Sequence, residues 1–171
     1  MSFGVGEKVV YPSQGVSVVE RISDEVLGGS AIRCYHLRLL GTDSRVVVPV
    51  TNSDRVGLRS LVERDIVDRI MGRLDAEDGD RLGDWKDRYR ANLDRIKTGS
   101  LDEIVDVLLC LAEVAARKPL SFRERKMYDH ARQLLVLEVA EVQGRPADEV
   151  NRQVEEALAR HAGLPAVVPA E

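Results

Sequence analysis

Residues 8–22 read Lys-Val-Val-Tyr-Pro-Ser-Gln-Gly-Val-Ser-Val-Val-Glu-Arg-Ile, which is two strand-like runs separated by a turn. Val, Ile and Tyr, which favour strands, are frequent in both runs, whereas Pro12 and Gly15 are typical of tight turns. Residues 32–39 and 45–50 repeat this pattern after further glycine-containing turns. The N-terminal part of the chain is therefore predicted to be built from short strands.

These strands predict a small β-barrel over residues 1–58, of the SH3-like or Tudor-like type. Four short strands and tight turns in about 58 residues fit a barrel better than a sandwich, which needs more strands. Residues 55–58 leave room for a fifth short strand.

From residue 59 to residue 163 the apolar residues recur at helical spacing, which predicts a second, all-α domain of about five helices. Ser100 with Glu103 and Ser121 with Glu124 have the spacing of capping boxes and mark two helix starts. The fold class is therefore α+β.

The fourth helix of this domain and the chain end also have clear patterns. Residues 134–140 are apolar on nearly all sides, so this helix is predicted to run through the middle of the domain. Residues 164–171 are rich in Ala, Pro and Val and are expected to form a flexible tail.

The composition predicts a folded, cytoplasmic protein. The chain has 171 residues, of which 44% are hydrophobic and 32% charged, and no stretch approaches the length of a membrane helix. The start of the chain lacks a signal-peptide pattern. Cys34 and Cys110 lie in apolar contexts and are expected to be reduced core thiols.

Charge is distributed unevenly along the chain. The formal net charge is -4, yet residues 85–132 hold 11 basic and 8 acidic side chains, which gives this block +3. The same block contains Trp85, the single Trp. A local basic block matters more for binding an anion than the charge of the whole chain.

No constellation of catalytic residues stands out. The three histidines, His36, His130 and His161, lie far apart in sequence without metal-ligand spacing, and no phosphate-loop or nucleophile motif is found. We expect no enzymatic activity, no cofactor and no metal.

A basic ridge is predicted beside an aromatic stripe on the helix that begins near Trp85. On a helical wheel, Lys86, Arg90 and Lys97 fall within about 40° of one another, next to a stripe that includes Trp85 and Tyr89. Two interpretations of Trp85 remain open. It is either a core anchor or an exposed wedge that enters a nucleic-acid groove.

A second basic group lies at the start of the fourth predicted helix. Arg123, Arg125 and Lys126 follow Pro119, at a place where helix-terminal amides and basic side chains can both face phosphate. Basic residues at this end oppose the helix dipole, which favours a functional role. A solvated basic face is the alternative.

The strand Arg45–Pro49 is apolar on consecutive positions and ends in Pro. Pro is tolerated at sheet edges and strand ends, and such an edge can accept a strand from a partner protein. The alternative is a strand that is buried on both faces.

The chain resembles the CarD/CdnL family of bacterial transcription regulators that bind RNA polymerase. The resemblance rests on motifs in a fixed order: Val5-Gly-Glu-Lys-Val-Val-Tyr-Pro-Ser-Gln-Gly15, Val48-Pro49, Val56-Gly-Leu-Arg59, Trp85-Lys-Asp-Arg-Tyr-Arg-Ala-Asn-Leu93, Arg125-Lys-Met127 and Ala131-Arg-Gln-Leu-Leu-Val136. The first motif is also similar to the polymerase-interacting module of the transcription-repair coupling factor. The helical half distinguishes between the two.

The resemblance implies that the barrel docks on the β subunit of bacterial RNA polymerase. Val46, Val47, Val48 and Pro49 would form the docking strand. Glu25 and Val47 stand where some family members use Arg against the polymerase, so the docking chemistry is expected to differ here.

The resemblance also implies that the helical domain contacts promoter DNA near the upstream edge of the -10 element. Trp85 would wedge into the minor groove, and four basic residues would hold the phosphate backbone without reading sequence. These four are Arg88, Arg90, Arg125 and Lys126, to which the helical wheel adds Lys86 and Lys97.

The implied function is that of a non-catalytic regulator that stabilises the open promoter complex. Its partners would be the polymerase β subunit and promoter DNA, with no membrane contact. We expect a monomer in the cytoplasm, associated with the nucleoid through the polymerase. The alternative is an adaptor whose barrel binds a partner strand while Trp85 is structural and contacts no DNA.

Overall fold

The computed structural model describes residues 2–76 and 85–161, without the side chains of Leu27 and of residues 85–87. The chain divides into two compact units, and the boundary falls between Leu61 and Val62.

The first unit is a five-stranded antiparallel sheet. Its strands are β1 (Lys8–Tyr11), β2 (Gly15–Leu27), β3 (Ser30–Leu39), β4 (Arg45–Pro49) and β5 (Arg59–Ser60), in the order β4-β3-β2-β1-β5. A 3-10 turn at Val50–Asn52 and the short helix α1 (Ser53–Val56) connect β4 to β5. Because β4 has only one neighbour in this order, one of its sides is open.

The fifth strand lies later than predicted. Residues 55–58 were expected to contain it, but Ser53–Val56 form α1, and β5 pairs with β1 through Arg59 and Ser60. Gly57 ends α1 in the left-handed region, with φ 81°, and a Cβ at this position would approach Pro12 Cγ to 3.1 Å. The strand can start only after this turn.

The core of the β unit lies on one face of the sheet and is apolar. Tyr35, Leu37 and Val48 are buried on this face with Val9 and Val19. In β4 and in residues 35–39 of β3, buried residues alternate with exposed or half-buried ones, as expected for a sheet with one covered face, whereas Cys34 is buried next to Tyr35.

The second unit contains α2 (Arg64–Asp75), α3 (Trp85–Lys97), α4 (Leu101–Arg117), α5 (Phe122–Gln143) and α6 (Ala147–His161). The predicted α+β class, with a β unit followed by about five helices, is confirmed. Helix α5 packs against each of the other four helices, and most of residues 134–140 are buried, as predicted. None of the helices in the described parts of the chain is long and apolar enough to cross a membrane.

Of the two predicted capping boxes, the one at Ser121 forms the hydrogen bond from the Glu124 N–H to the cap side chain. Ser121 Oγ accepts a hydrogen bond from the Glu124 N–H at 3.2 Å and donates one to Glu124 Oε1 at 3.1 Å. Ser100 precedes α4, but its side chain makes no cap hydrogen bond. Glu103 instead faces Arg95 of α3, with Oε2 at 3.5 Å from Nε, so the second capping box was predicted wrongly.

A buried carboxylate connects α5 to the start of the helical unit. Glu138 is 2% exposed, and its Oε2 accepts a hydrogen bond from the Val62 N–H at 2.9 Å. A charged group is tolerated in a core only where hydrogen bonds compensate for its lost hydration. Val62 is the first residue of this unit, so the contact fixes where the chain enters it.

Candidate nucleic-acid and protein interfaces

Helix α3 buries one face and exposes its cations on another. Asn92 and Ile96 are buried, and the Asn92 side chain donates to Cys110 Sγ of α4 at 3.6 Å. Arg90 and Lys97 are exposed and lie seven residues apart, which is about two turns of helix. These two cations therefore lie on a shared solvent-facing side of α3, as the helical wheel predicted.

A buried ion pair joins the first turns of α3 and α5. Arg88 Nη2 lies 3.3 Å from Glu124 Oε2, and the two side chains are 8% and 9% exposed. Beside them, the guanidinium of Arg123 lies 3.9 Å from the centre of the Tyr89 ring. Arg88 was expected to hold a phosphate, but this side chain is buried against Glu124 and belongs to the packing between the helices.

The first turns of α5 expose a basic group next to an aromatic ring. Arg123, Arg125 and Lys126 are exposed, and Phe122 is 75% exposed. Lys126 Nζ lies 4.6 Å from the centre of the Phe122 ring. The sequence analysis gave Phe122 no role, although its place between the cap Ser121 and the basic residues is a signal that could have found it.

Part of the predicted DNA-binding set lies next to the contact between α3 and α5. Arg125 and Lys126 follow Glu124 in α5, and Arg90 lies two residues after Arg88 in α3. Lys97 lies further from the contact between α3 and α5, because it is nine residues beyond Arg88, or about 13 Å along the axis of α3. Trp85 is the first residue of α3, and its side chain and that of Lys86 lie outside the described residues.

The predicted protein-docking residues Val46, Val47, Val48 and Pro49 lie on β4, the strand with one open side. Val47 is 49% exposed, whereas Val48 is 3% exposed and Val46 packs partly against the core. Val47 therefore presents an apolar side chain to solvent, while the side chains of Val46 and Val48 face inward. The alternative of a strand buried on both faces does not describe β4.

The register shows which backbone groups of β4 point outward. The Leu39 N–H donates to the Ser44 carbonyl at 2.8 Å, so these residues form a hydrogen-bonded pair. Because such pairs alternate in an antiparallel ladder, Val46 and Val48 bond to β3 and Val47 turns its N–H and C=O to the open side. An added strand would find its hydrogen-bonding partners there.

Glu25 lies away from this open edge. It belongs to β2, which is separated from β4 by β3, a distance of about 10 Å across the sheet. Its Oε1 lies 3.0 Å from His36 Nε2 and accepts from Ser23 Oγ at 3.0 Å. The carboxylate is 38% exposed and is already part of a network within the sheet.

Other site types have little support in the described residues. Within residues 2–76 and 85–161, no group of three or more His, Cys, Asp or Glu side chains is placed to hold a metal ion. Cys34 and Cys110 are both free and buried. Burial raises the pKa of the Cys110 thiol, which keeps it protonated at neutral pH.

The structure is that of a protein of two units, in which a β unit with an open strand edge precedes a helical unit with exposed cations. The chain belongs to the CarD family. The family model described as CarD, C-terminal domain, matches residues 69–155, and the one described as CarD-like/TRCF RID domain matches residues 3–62. The family assignment made from the sequence motifs is thereby confirmed.

The chain is also similar to a candidate transcription factor, YdeB of Bacillus subtilis (strain 168). The two sequences are 29% identical over 142 residues, which cover 83% of this chain and 93% of that protein. Together with the family, this similarity supports a role in the regulation of transcription.

The buried ion pair generates a first prediction. Arg88→Met should lower the free energy of unfolding by about 3 kcal/mol, because it leaves Glu124 buried without this cation. Arg90→Met, the same change at an exposed position of α3, should alter it by no more than about 0.5 kcal/mol. Urea unfolding followed by circular dichroism measures both. Equal effects of the two variants would show that the Arg88–Glu124 pair does not hold the helices.

Proposed function

We propose that this protein is a non-catalytic regulator that binds the RNA polymerase β subunit through β4 and promoter DNA through α3 and α5, and thereby stabilises the open complex. The observation that carries the proposal is the presence, in one CarD-family chain, of an open apolar strand edge and a separate exposed basic surface. The protein would act as a monomer in the cytoplasm, associated with the nucleoid through the polymerase.

Docking on the polymerase would use strand addition at β4. Main-chain hydrogen bonds to Val47 would give affinity, and the exposed Val47 side chain with Pro49 at the strand end would add apolar contact. The match of residues 3–62 to the CarD-like/TRCF RID domain supports an interaction with RNA polymerase. Within the polymerase, the β subunit would be the docking site.

Binding to DNA would rest on cations that contact phosphate. Arg90, Arg125 and Lys126 are exposed near the contact between α3 and α5, and Arg123 and Phe122 extend this surface. Such contacts fix position and orientation on the duplex and do not read base sequence. Lys97, at the other end of α3, would contact the backbone further along, with Lys86 as an additional cation.

Trp85 would act as the wedge at the upstream edge of the melted region. Inserting an apolar side chain between base steps costs a few kcal/mol of unstacking, which is least where the duplex is already opening. Weak DNA affinity in isolation becomes useful once the polymerase supplies a high effective concentration of promoter DNA. The wedge would therefore hold the open form after the polymerase has melted it.

Docking on β4 can be tested with the isolated lobe of the bacterial β subunit. We expect the full chain to bind it with micromolar or tighter affinity in calorimetry. Val47→Glu should abolish detectable binding, because a buried, unpaired carboxylate would face the docked strand. Pro49→Ala tests the contribution of the strand end.

Val26→Glu is the matched control for this test. Val26 is 76% exposed on β2, so the same substitution there leaves the edge of β4 intact and should preserve binding. Absence of binding by the unaltered chain would contradict the proposed partner, and equal loss in both variants would contradict the proposed edge.

The DNA contact can be tested by charge reversal. Arg90→Glu should weaken binding to forked promoter DNA similarly for all sequences and reduce the slope of log affinity against log salt by about one unit. Fluorescence anisotropy at several salt concentrations measures both effects. Arg152→Glu makes the same change in net charge on an exposed position of α6 and should have little effect. A base-specific loss, or no loss, would contradict the phosphate role.

A further inference from the structure

Arg45 shares with Val47 the outward-facing side of β4. The two residues lie two positions apart, so their side chains project on the same face of the sheet, and both are exposed, at 73% and 49%. By the alternation of the ladder, the backbone N–H and C=O of Arg45 also point to the open edge. A strand added to β4 would therefore place two of its own alternate residues beside Arg45 and Val47.

The Arg45 side chain is held in place but remains accessible. Its Nε donates to Glu20 Oε2 at 3.2 Å, while Glu20 Oε1 accepts from Arg38 Nε at 2.9 Å. One carboxylate is thus shared by two guanidinium groups. Because the contact uses Nε and the side chain is largely exposed, the terminal nitrogens of Arg45 can reach a further acceptor.

Side chains directly opposite each other on neighbouring strands lie about 5 Å apart, where opposite charges attract and apolar groups pack. A carboxylate suits the place beside Arg45, since Arg can bind it with two parallel hydrogen bonds. An apolar side chain suits the place beside Val47. The two requirements fall two residues apart on the added strand, because side chains on one face recur with period two.

We propose that Arg45 is a specificity-determining contact of the docking edge, and that the strand which adds to β4 carries an acidic side chain beside Arg45 and an apolar one two residues away beside Val47. This rests on the proposed docking of β4 on the polymerase. Arg45 supplies a cation on the same face of the sheet as the apolar Val47. The edge would thus keep an electrostatic contact although its central residue is apolar.

The test is titration of the β-subunit lobe into variants of the full chain, by calorimetry at low and high salt. Arg45→Glu should weaken binding by about tenfold or more at low salt, and the difference should shrink at high salt, where charges are screened. Arg45→Lys, which keeps the charge, should bind within about threefold of the unaltered chain. Arg152→Glu controls for the change in net charge and should leave binding unchanged.

Glu20→Gln separates a direct contact from an effect on β4 itself. If Arg45 meets the partner, releasing it from Glu20 should preserve or strengthen binding. If Arg45 acts only by stabilising β4 through its ion pair with Glu20, Glu20→Gln should weaken binding as much as Arg45→Glu. That result would overturn the proposed contact.

The outcomes also distinguish this inference from the proposed function. Binding that survives Arg45→Glu but is lost in Val47→Glu would overturn the role of Arg45 and leave docking at β4 intact. No binding by the unaltered chain would remove the proposed docking itself.

Discussion

The contact between Arg88 and Glu124 is the interaction on which the basic surface depends. It buries a cation and an anion between the first turns of α3 and α5. Each charge is stabilised there by the other, because a buried charge without its partner is strongly destabilising. Glu124 also completes the cap of α5 with Ser121, so one side chain both starts a helix and joins it to its neighbour. This ion pair positions the exposed cations that flank it in α3 and α5. Helix α5 continues from the contact into the core of the helical unit.

The two units present surfaces with different physical character. The edge of β4 offers directional backbone groups and apolar side chains, which suit a stable and selective contact with a protein strand. The cations of α3 and α5 offer screened, sequence-tolerant attraction to phosphate. In the proposed function, the first surface supplies location and the second acts only where the polymerase has brought DNA close. The proposal thereby reconciles a net charge of -4 with binding to DNA.

The sequence predicted the α+β class, the central α5 and the Ser121–Glu124 capping box, because hydrophobic period and capping are local signals. It could not predict that Arg88 is buried. A helical wheel gives the angles between side chains but does not identify the partner of each, and the burial of Arg88 depends on Glu124, which is 36 residues away. The place of β5 was also missed, because Ser53–Val56 form a helix that ends at Gly57, where a side chain would crowd Pro12.

The central claim, that the chain holds the promoter open, is tested most directly by the lifetime of open complexes after a heparin challenge with purified bacterial polymerase. The unaltered chain should lengthen this lifetime, and Leu93→Ala, a truncation at an exposed position of α3, should retain the effect. Trp85→Ala should lose it while still binding the β-subunit lobe. An unchanged lifetime with Trp85→Ala would contradict the wedge, and no lengthening by the unaltered chain would contradict the account as a whole.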